Sequence, residues 1–142
     1  MTTYIVVADA ARARIFVRDT KTLAEKESLV HAEGRLHEGD LITGSTGSMD
    51  ESTANARRDS RSDNVAQDHE AEIFAKQVAG RLYDARVDNS MDKLILVAPA
   101  KFLGLLKDKL DAPTRKLVIH TLSKDLSKAS VENIQEAVSD LR

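Results

Sequence analysis

The sequence predicts an α/β domain built on one mixed five-stranded sheet. Short apolar runs rich in β-branched residues, at residues 4–8 and 94–98, are typical of strands buried on both faces. Apolar residues that recur at three- and four-residue steps between Ala71 and Leu82 are typical of an amphipathic helix. The segments follow one another as three strands and then helix, strand, helix, strand and helix. This order predicts a mixed sheet with helices on its faces.

The first three strands are predicted to form an antiparallel meander, because the connections between them are short. They are expected at residues 4–8, 14–18 and 23–32, and the third is clearest at 29–31. Asp9 begins the first turn, where its carboxylate can accept a hydrogen bond from the backbone two residues further on. The third strand carries several charges, which is typical of a strand at the edge of a sheet.

Residues 34–68 are predicted to form one long polar loop that leads into a helix near His69. The segment holds four Arg against seven acidic residues, so it is mixed in charge rather than a basic arm. Asp68 is a suitable N-cap for the helix, and Glu70 and Glu72 in its first turn would complement the helix dipole. Loops of this length inside a compact domain are usually functional or disordered, so this loop is the main functional candidate.

Two further helices and a fifth strand are predicted after residue 98. Pro99 suits the first position of a helix, Gly104 inside that helix suggests a close backbone approach either to the sheet or to a partner, and Pro113 ends the segment. The strand is expected at residues 116–122, and Ser130 is the expected N-cap of the last helix. The inner faces of the two helices are formed by Phe102, Leu103, Leu106, Leu110, Ile134, Ala137, Val138 and Leu141. The complete element order is that of a ribonuclease-H-like fold.

Composition limits the classes of function. The 142 residues suit one domain with one core, and the net charge of −2 gives no global reason to expect nucleic acid or an anionic membrane as partner. The absence of cysteine excludes disulfides, thiolate metal sites and a cysteine nucleophile. The N-terminus lacks a basic region followed by a long apolar run, and no stretch approaches the roughly 18 apolar residues of a membrane span. We therefore expect a soluble, cytoplasmic protein without membrane insertion.

Asp9, His69 and Glu72 are the catalytic candidates for a hydrolase or nuclease. Neutral His69 could act as a general base near pH 7, and ribonuclease-H-like nucleases hold two metal ions between carboxylates from several elements. The fourth strand, however, ends at residue 98 without the carboxylate that such a site needs. Asp9 is better explained as a turn residue and His69 as an exposed residue at a helix start. No metal site and no cofactor is predicted.

The candidates for binding RNA or a protein partner are all basic: Arg12, Arg14, Arg57, Arg58, Arg61, Lys101 and Lys124. The cluster at residues 57–61 could bind phosphate through paired N–H groups, although neighbouring acidic residues could pair with it instead. Residues 101–128 hold seven Lys and Arg against three Asp, a net charge of +4. Arg12 and Arg14 could extend this patch, but charged surfaces of this size are ordinary.

Several blocks of sequence together resemble one known family. They are residues 6–16, 69–75, 94–99, 102–104 and 124–126, with a loop containing Gly and Arg between the first two. In this order they resemble the bacterial "protein required for attachment to host cells" family over nearly the whole chain. The family's name describes an attachment phenotype rather than a biochemical activity. It implies an interaction or regulatory protein that promotes attachment indirectly.

That family is also similar to the middle domain of archaeal and eukaryotic peptide-chain release factors. In those factors, a Gly-Gly-Gln loop before a long helix reaches the peptidyl-transferase centre of the ribosome. Residues 34–68 have a comparable place here, but the chain contains no Gly-Gly-Gln. The resemblance therefore implies a binding factor for ribosomes or RNA, more a binding protein than an enzyme, that acts through this loop. A homo-oligomer, in which a second copy of the chain is the partner, is a further alternative.

Overall fold

The structure is a computed structural model that describes residues 2–19, 22–31 and 56–141, with side chains described from residue 68 onward in the last range. It confirms a mixed α/β architecture with one five-stranded sheet. The elements are β1 (Thr3–Ala8), β2 (Arg12–Asp19), β3 (Thr22–Val30), α1 (Ala56–Val87), β4 (Lys93–Ala98), α2 (Ala100–Lys109), α3 (Ala112–Arg115), β5 (Val118–Ser123) and α4 (Val131–Val138). The described part of the chain therefore holds the short helix α3 in addition to the predicted elements.

β1 lies at the centre of the sheet, whose strand order is β3-β2-β1-β4-β5. β1 pairs antiparallel with β2 and parallel with β4, while β2 pairs antiparallel with β3 and β4 pairs parallel with β5. In a continuous meander β4 would pair with β3. Instead, the chain crosses back over the sheet after β3, and β4 pairs with β1. Parallel neighbours cannot be joined by a tight turn, so α1 and α2 serve as the crossovers.

The sheet separates two hydrophobic cores. β1 is buried along its whole length, as predicted for a strand covered on both faces, and its alternate residues Val6 and Val7 belong to opposite cores. α1 and α2 cover one face, where Phe74, Leu82 and Leu106 are fully buried. α4 covers the other face with Ile134 and Val138. The expected inner faces of these helices are thus confirmed at their central positions.

α1 begins at Ala56 rather than near His69. The predicted loop at 34–68 was therefore wrong for residues 56–68, and Asp68 lies inside the helix instead of capping it. Residues 32–55 lie outside the described residues. No Gly or Pro interrupts residues 56–79, so nothing breaks the helix there. Residues 56–68 lack a regular apolar stripe, however, and that stripe was the signal on which the predicted helix start depended.

Two smaller expectations in the C-terminal half were also wrong. Gly104 makes no close approach to the sheet, since a Cβ added there would find no heavy atom within 4 Å among the described residues, while its approach to a partner stays a prediction. Pro113 does not end a segment but lies in the first turn of α3, where its missing N–H and restricted φ are tolerated. Ser130 does cap α4, because its Oγ accepts a hydrogen bond from the N–H of Asn133 at 3.1 Å.

Candidate functional site

A cavity of about 380 Å³ lies where β1 and β4 end. Its walls come from the β1–β2 turn, from α1 and from the first turns of α2. They are formed by Asp9, Ala10, Ala11, Asp68, Ala71, Pro99, Lys101, Phe102 and Leu105. The carboxyl ends of parallel strands lie at one edge of a sheet, and ligands of open α/β proteins commonly bind there. The position and size of the cavity are those of a small-ligand site.

Asp9 is held in the cavity wall by the turn that it starts. Its Oδ1 accepts hydrogen bonds from the backbone N–H groups of Ala11 at 2.8 Å and Arg12 at 2.9 Å, which confirms the predicted turn role. Its Oδ2 accepts a hydrogen bond from the buried hydroxyl of Ser127 at 2.7 Å. Ser127 Oγ also lies 3.0 Å from Asp125 Oδ1. The carboxylate is therefore fixed from two distant parts of the chain.

Arg14 on β2 also joins the sheet to the segment before α4. One of its terminal nitrogens donates to the carbonyl oxygen of Ala129 at 2.7 Å, and its Nε donates to Glu25 on β3 at 3.0 Å. The guanidinium also lies over the ring of Phe16, 5.0 Å from its centre. Arg14 thus has a clear role in holding the fold, and its predicted role in binding RNA or a partner stays a prediction.

Two ion pairs join α1 to α2, and the first of them lies in the cavity wall. Lys101 Nζ donates to Asp68 Oδ1 at 2.6 Å, and Lys109 Nζ donates to Glu72 Oε1 at 2.7 Å. The hydrogen bond from Lys109 lowers the pKa of Glu72, and nearby His69 lowers it further. The same bond raises the pKa of Lys109. Glu72 is therefore an ionised, paired carboxylate rather than a group poised for proton transfer.

His31 connects the end of β3 to α1. Its Nε2 lies 2.7 Å from Glu70 Oε2, its side chain is only 6% exposed, and its ring centre lies 5.5 Å from that of Phe74. Its backbone N–H donates to the carbonyl oxygen of Ala11 at 2.9 Å, and Ala11 lines the cavity. His31 therefore holds one cavity wall against the helix that forms another.

The sequence pattern left His31 and Ser127 without a role. Leu29 packs against the hydrophobic core beneath α1 and α2. His31 is two positions further along the chain, so the two-residue period of a strand could have placed His31 on the same face. Ser127 carried no signal, because its partner Asp9 is 118 residues away.

The structure distributes the predicted site residues over several places. Asp9 is the one of the three catalytic candidates that lines the cavity, while His69 and Glu72 lie exposed along α1. Lys101 also lines the cavity, and Lys124 is exposed directly after β5. Arg57, Arg58 and Arg61 lie in the first turns of α1, and their side chains are outside the described part.

Within the described ranges, no group of three or more His, Asp or Glu side chains could hold a metal ion. The helices of that part include none that is both long and apolar enough to cross a membrane. The arrangement found is an apolar cavity with one fixed carboxylate and one ion pair in its walls.

Fold and site together define a small α/β protein with a five-stranded mixed sheet and a cavity at the carboxyl ends of its two central parallel strands. The chain belongs to the family described as "Protein required for attachment to host cells", whose model matches residues 4–138. This confirms the resemblance of the sequence to that family. No curated protein sequence matches the chain.

A solved structure described as "Archaeal protein" has a similar fold. It matches with a TM-score of 0.55 and 12% sequence identity, over 99% of this chain and 33% of the other. Identity this low shows a shared fold alone. This chain therefore spans about a third of the length of the archaeal protein.

Proposed function

We propose that the protein is a cytoplasmic, release-factor-like binding factor that acts on ribosomes or RNA and has no catalytic step of its own. In this proposal the first turns of α1, with the segment that precedes them, form the binding element. The chain belongs to the host-attachment family, and the proposal rests on the resemblance of that family to the middle domain of peptide-chain release factors.

The length of α1 is the observation that carries the proposal. At 1.5 Å per residue, its 32 residues extend over about 48 Å. The buried residues of the described part of α1 run from Ala71 to Leu82, about 17 Å of helix, and a six-residue strand such as β1 is about 20 Å long. α1 is therefore more than twice as long as a strand of the sheet, and in this proposal a second molecule contacts its first turns.

The basic residues support phosphate as the group that is bound. Positions 57 and 61 are one helical turn apart and so share a face of α1, and position 58 holds a third arginine. Lys107, Lys116, Lys124 and Lys128 are exposed on and after α2. Because the net charge of the chain is −2, these local clusters, rather than the whole protein, would attract RNA.

Sedimentation with purified ribosomes tests the proposal. We expect the wild-type chain to sediment with ribosomes at low salt and to dissociate as salt rises, because phosphate contacts release counterions. The single variants Arg57→Gln, Arg58→Gln and Arg61→Gln should each weaken binding about threefold to tenfold. Lys76→Gln, which removes an exposed cation from the same helix, is the matched control and should bind normally. A wild-type chain that binds neither ribosomes nor RNA at any salt concentration would refute the proposal.

The family description supports a second proposal, in which the protein promotes attachment to host cells indirectly. We expect deletion of its gene to reduce attachment, and the Arg57→Gln, Arg58→Gln and Arg61→Gln variants to restore it only in part. Unchanged attachment after deletion would contradict this role without affecting the ribosome proposal. The hydrolase alternative receives less support from the geometry, because Asp9 lines the cavity whereas His69 and Glu72 are exposed on α1 and Glu72 is paired with Lys109.

A further inference from the structure

We propose that the cavity beside Asp9 binds an alkylammonium group on an apolar stem, such as a free amine or a lysine side chain provides. This site is separate from the binding of ribosomes or RNA proposed for the first turns of α1, and it shares one basic residue, Lys101, with the residues predicted to bind RNA.

The carboxylate of Asp9 keeps both a charge and an acceptor position for a ligand. It accepts hydrogen bonds from two backbone N–H groups and one hydroxyl, whereas a carboxylate offers about four acceptor positions. Within the described residues, no ion pair joins Asp9 to Lys, Arg or His. The cation among the lining residues, Lys101, is paired with Asp68 at 2.6 Å. The three charged groups of the wall therefore sum to one uncompensated negative charge.

The remaining walls suit an apolar stem. Four lining residues are aliphatic: Ala10, Ala11, Ala71 and Leu105. Phe102 adds an aromatic ring, and such a ring can stabilise a cation. The start of α2 opposes a cation, since a helix N-terminus carries about half a positive charge. The full charge of Asp9 exceeds that contribution, so the balance favours an organic cation over a neutral or anionic ligand of the same size.

Binding of three six-carbon probes to the full chain tests this site. We expect hexylammonium to bind at least about tenfold more tightly than hexanol, because a hydrogen bond to a charged group is stronger than one to a neutral group. Hexanoate should bind most weakly. NMR signals of the Ala10 and Ala11 amides report binding at the cavity itself. Equal affinity for hexylammonium and hexanol, or no binding of hexylammonium, would overturn the proposal.

Two variants, each with a matched control, test whether hexylammonium binds in this cavity. Asp9→Asn retains an oxygen for the turn and removes the charge, so it should weaken hexylammonium binding about tenfold, whereas Glu72→Gln removes a carboxylate outside the cavity and should not. Ala10→Leu, at an exposed position, should block the cavity, and Ala24→Leu on β3 is its size-matched control. Unchanged binding in Asp9→Asn, or in a folded Ala10→Leu variant, refutes the site.

A peptide, acetyl-Gly-Lys-Gly-amide, distinguishes the two sources of the ligand. Tighter binding of the peptide than of hexylammonium assigns the cavity to the lysine side chain of a partner. Tighter binding of hexylammonium assigns it to a free amine. Both results support the alkylammonium site, and failure of both probes removes it while leaving the ribosome proposal intact.

Discussion

The contact between His31 and Glu70 yields a prediction for single residues. His31 is buried between β3 and α1, 2.7 Å from the Glu70 carboxylate and against the Phe74 ring. We expect His31→Ala to lower the free energy of unfolding by about 2–4 kcal/mol, since it removes a buried ring as well as the hydrogen bond. His69→Ala, an exposed change on the same helix, should cost less than about 0.5 kcal/mol. Urea unfolding at pH 7 measures the free energy of unfolding of both variants.

A double-mutant cycle separates the pair from the packing of the ring. His31→Ala and Glu70→Ala should show a coupling energy of about 1–2 kcal/mol. Additive effects of the two changes would mean that the ring contact with Phe74 carries the whole stabilisation and that the hydrogen bond adds nothing.

Residue roles could be predicted from the sequence where the interaction is local. Asp9 was assigned to its turn correctly because the N–H groups that it accepts from are two and three residues away. Ser130 was assigned as an N-cap for the same reason. The bond from Ser127 to Asp9 joins residues 118 positions apart, and the bond from His31 to Glu70 joins residues 39 apart. Such contacts follow from the crossovers of the sheet, which no local pattern encodes.

The glycines inside the helices yield a prediction at the scale of elements. Gly80 in α1 and Gly104 in α2 both have room for a Cβ, with no heavy atom of the described residues within 4 Å. Glycine in a helix interior costs about 1 kcal/mol relative to Ala. We expect Gly80→Ala and Gly104→Ala each to raise the free energy of unfolding by about 0.5–1 kcal/mol, and the double variant to add the two gains. Loss of stability in Gly104→Ala would restore the close approach that the sequence suggested.

Elements with an apolar pattern were predicted well, and elements without one were not. β1, β4 and the part of α1 after Ala71 carry continuous or regularly spaced apolar residues, because they are buried. The first turns of α1 have no such pattern, so their helix could not be distinguished from the polar loop before it. α3 was missed because four residues containing Pro113 are too few to show a period.

At the scale of the whole molecule, the predicted elements left the position of β4 open. The mixed sheet follows from the order of strands and helices, whereas the pairing of β1 with β4 depends on the crossover through α1. That pairing brings residues 9–11, Ala71, Pro99 and Phe102 to one cavity. Blocks of sequence that carried the family resemblance separately are thus neighbours in the folded protein.

Paired carboxylates make the stability of the whole molecule sensitive to acid. Arg81 on α1 donates two hydrogen bonds to Glu27 on β3, at 2.9 and 2.8 Å, and these bonds lower the pKa of Glu27 and raise that of Arg81. The pKa values of Glu72 and Asp88 are also lowered, by hydrogen bonds from Lys109 and Ser90. A carboxylate with a lowered pKa in the folded state stabilises the fold above its unfolded pKa. That stabilisation is lost as the pH falls through the folded pKa.

The variant Arg81→Gln tests this pH dependence, because it removes the cation that lowers the pKa of Glu27. We expect it to be less stable than the wild type at pH 7, and the difference to shrink as the pH falls below roughly 4.5, where carboxyl groups become protonated. Lys76→Gln removes an exposed cation from the same helix and should match the wild type at every pH. Urea unfolding at pH 7, 5 and 3 measures the three proteins. A difference between Arg81→Gln and wild type as large at pH 3 as at pH 7 would show that Arg81 joins α1 to β3 by packing of its stem rather than by its charge.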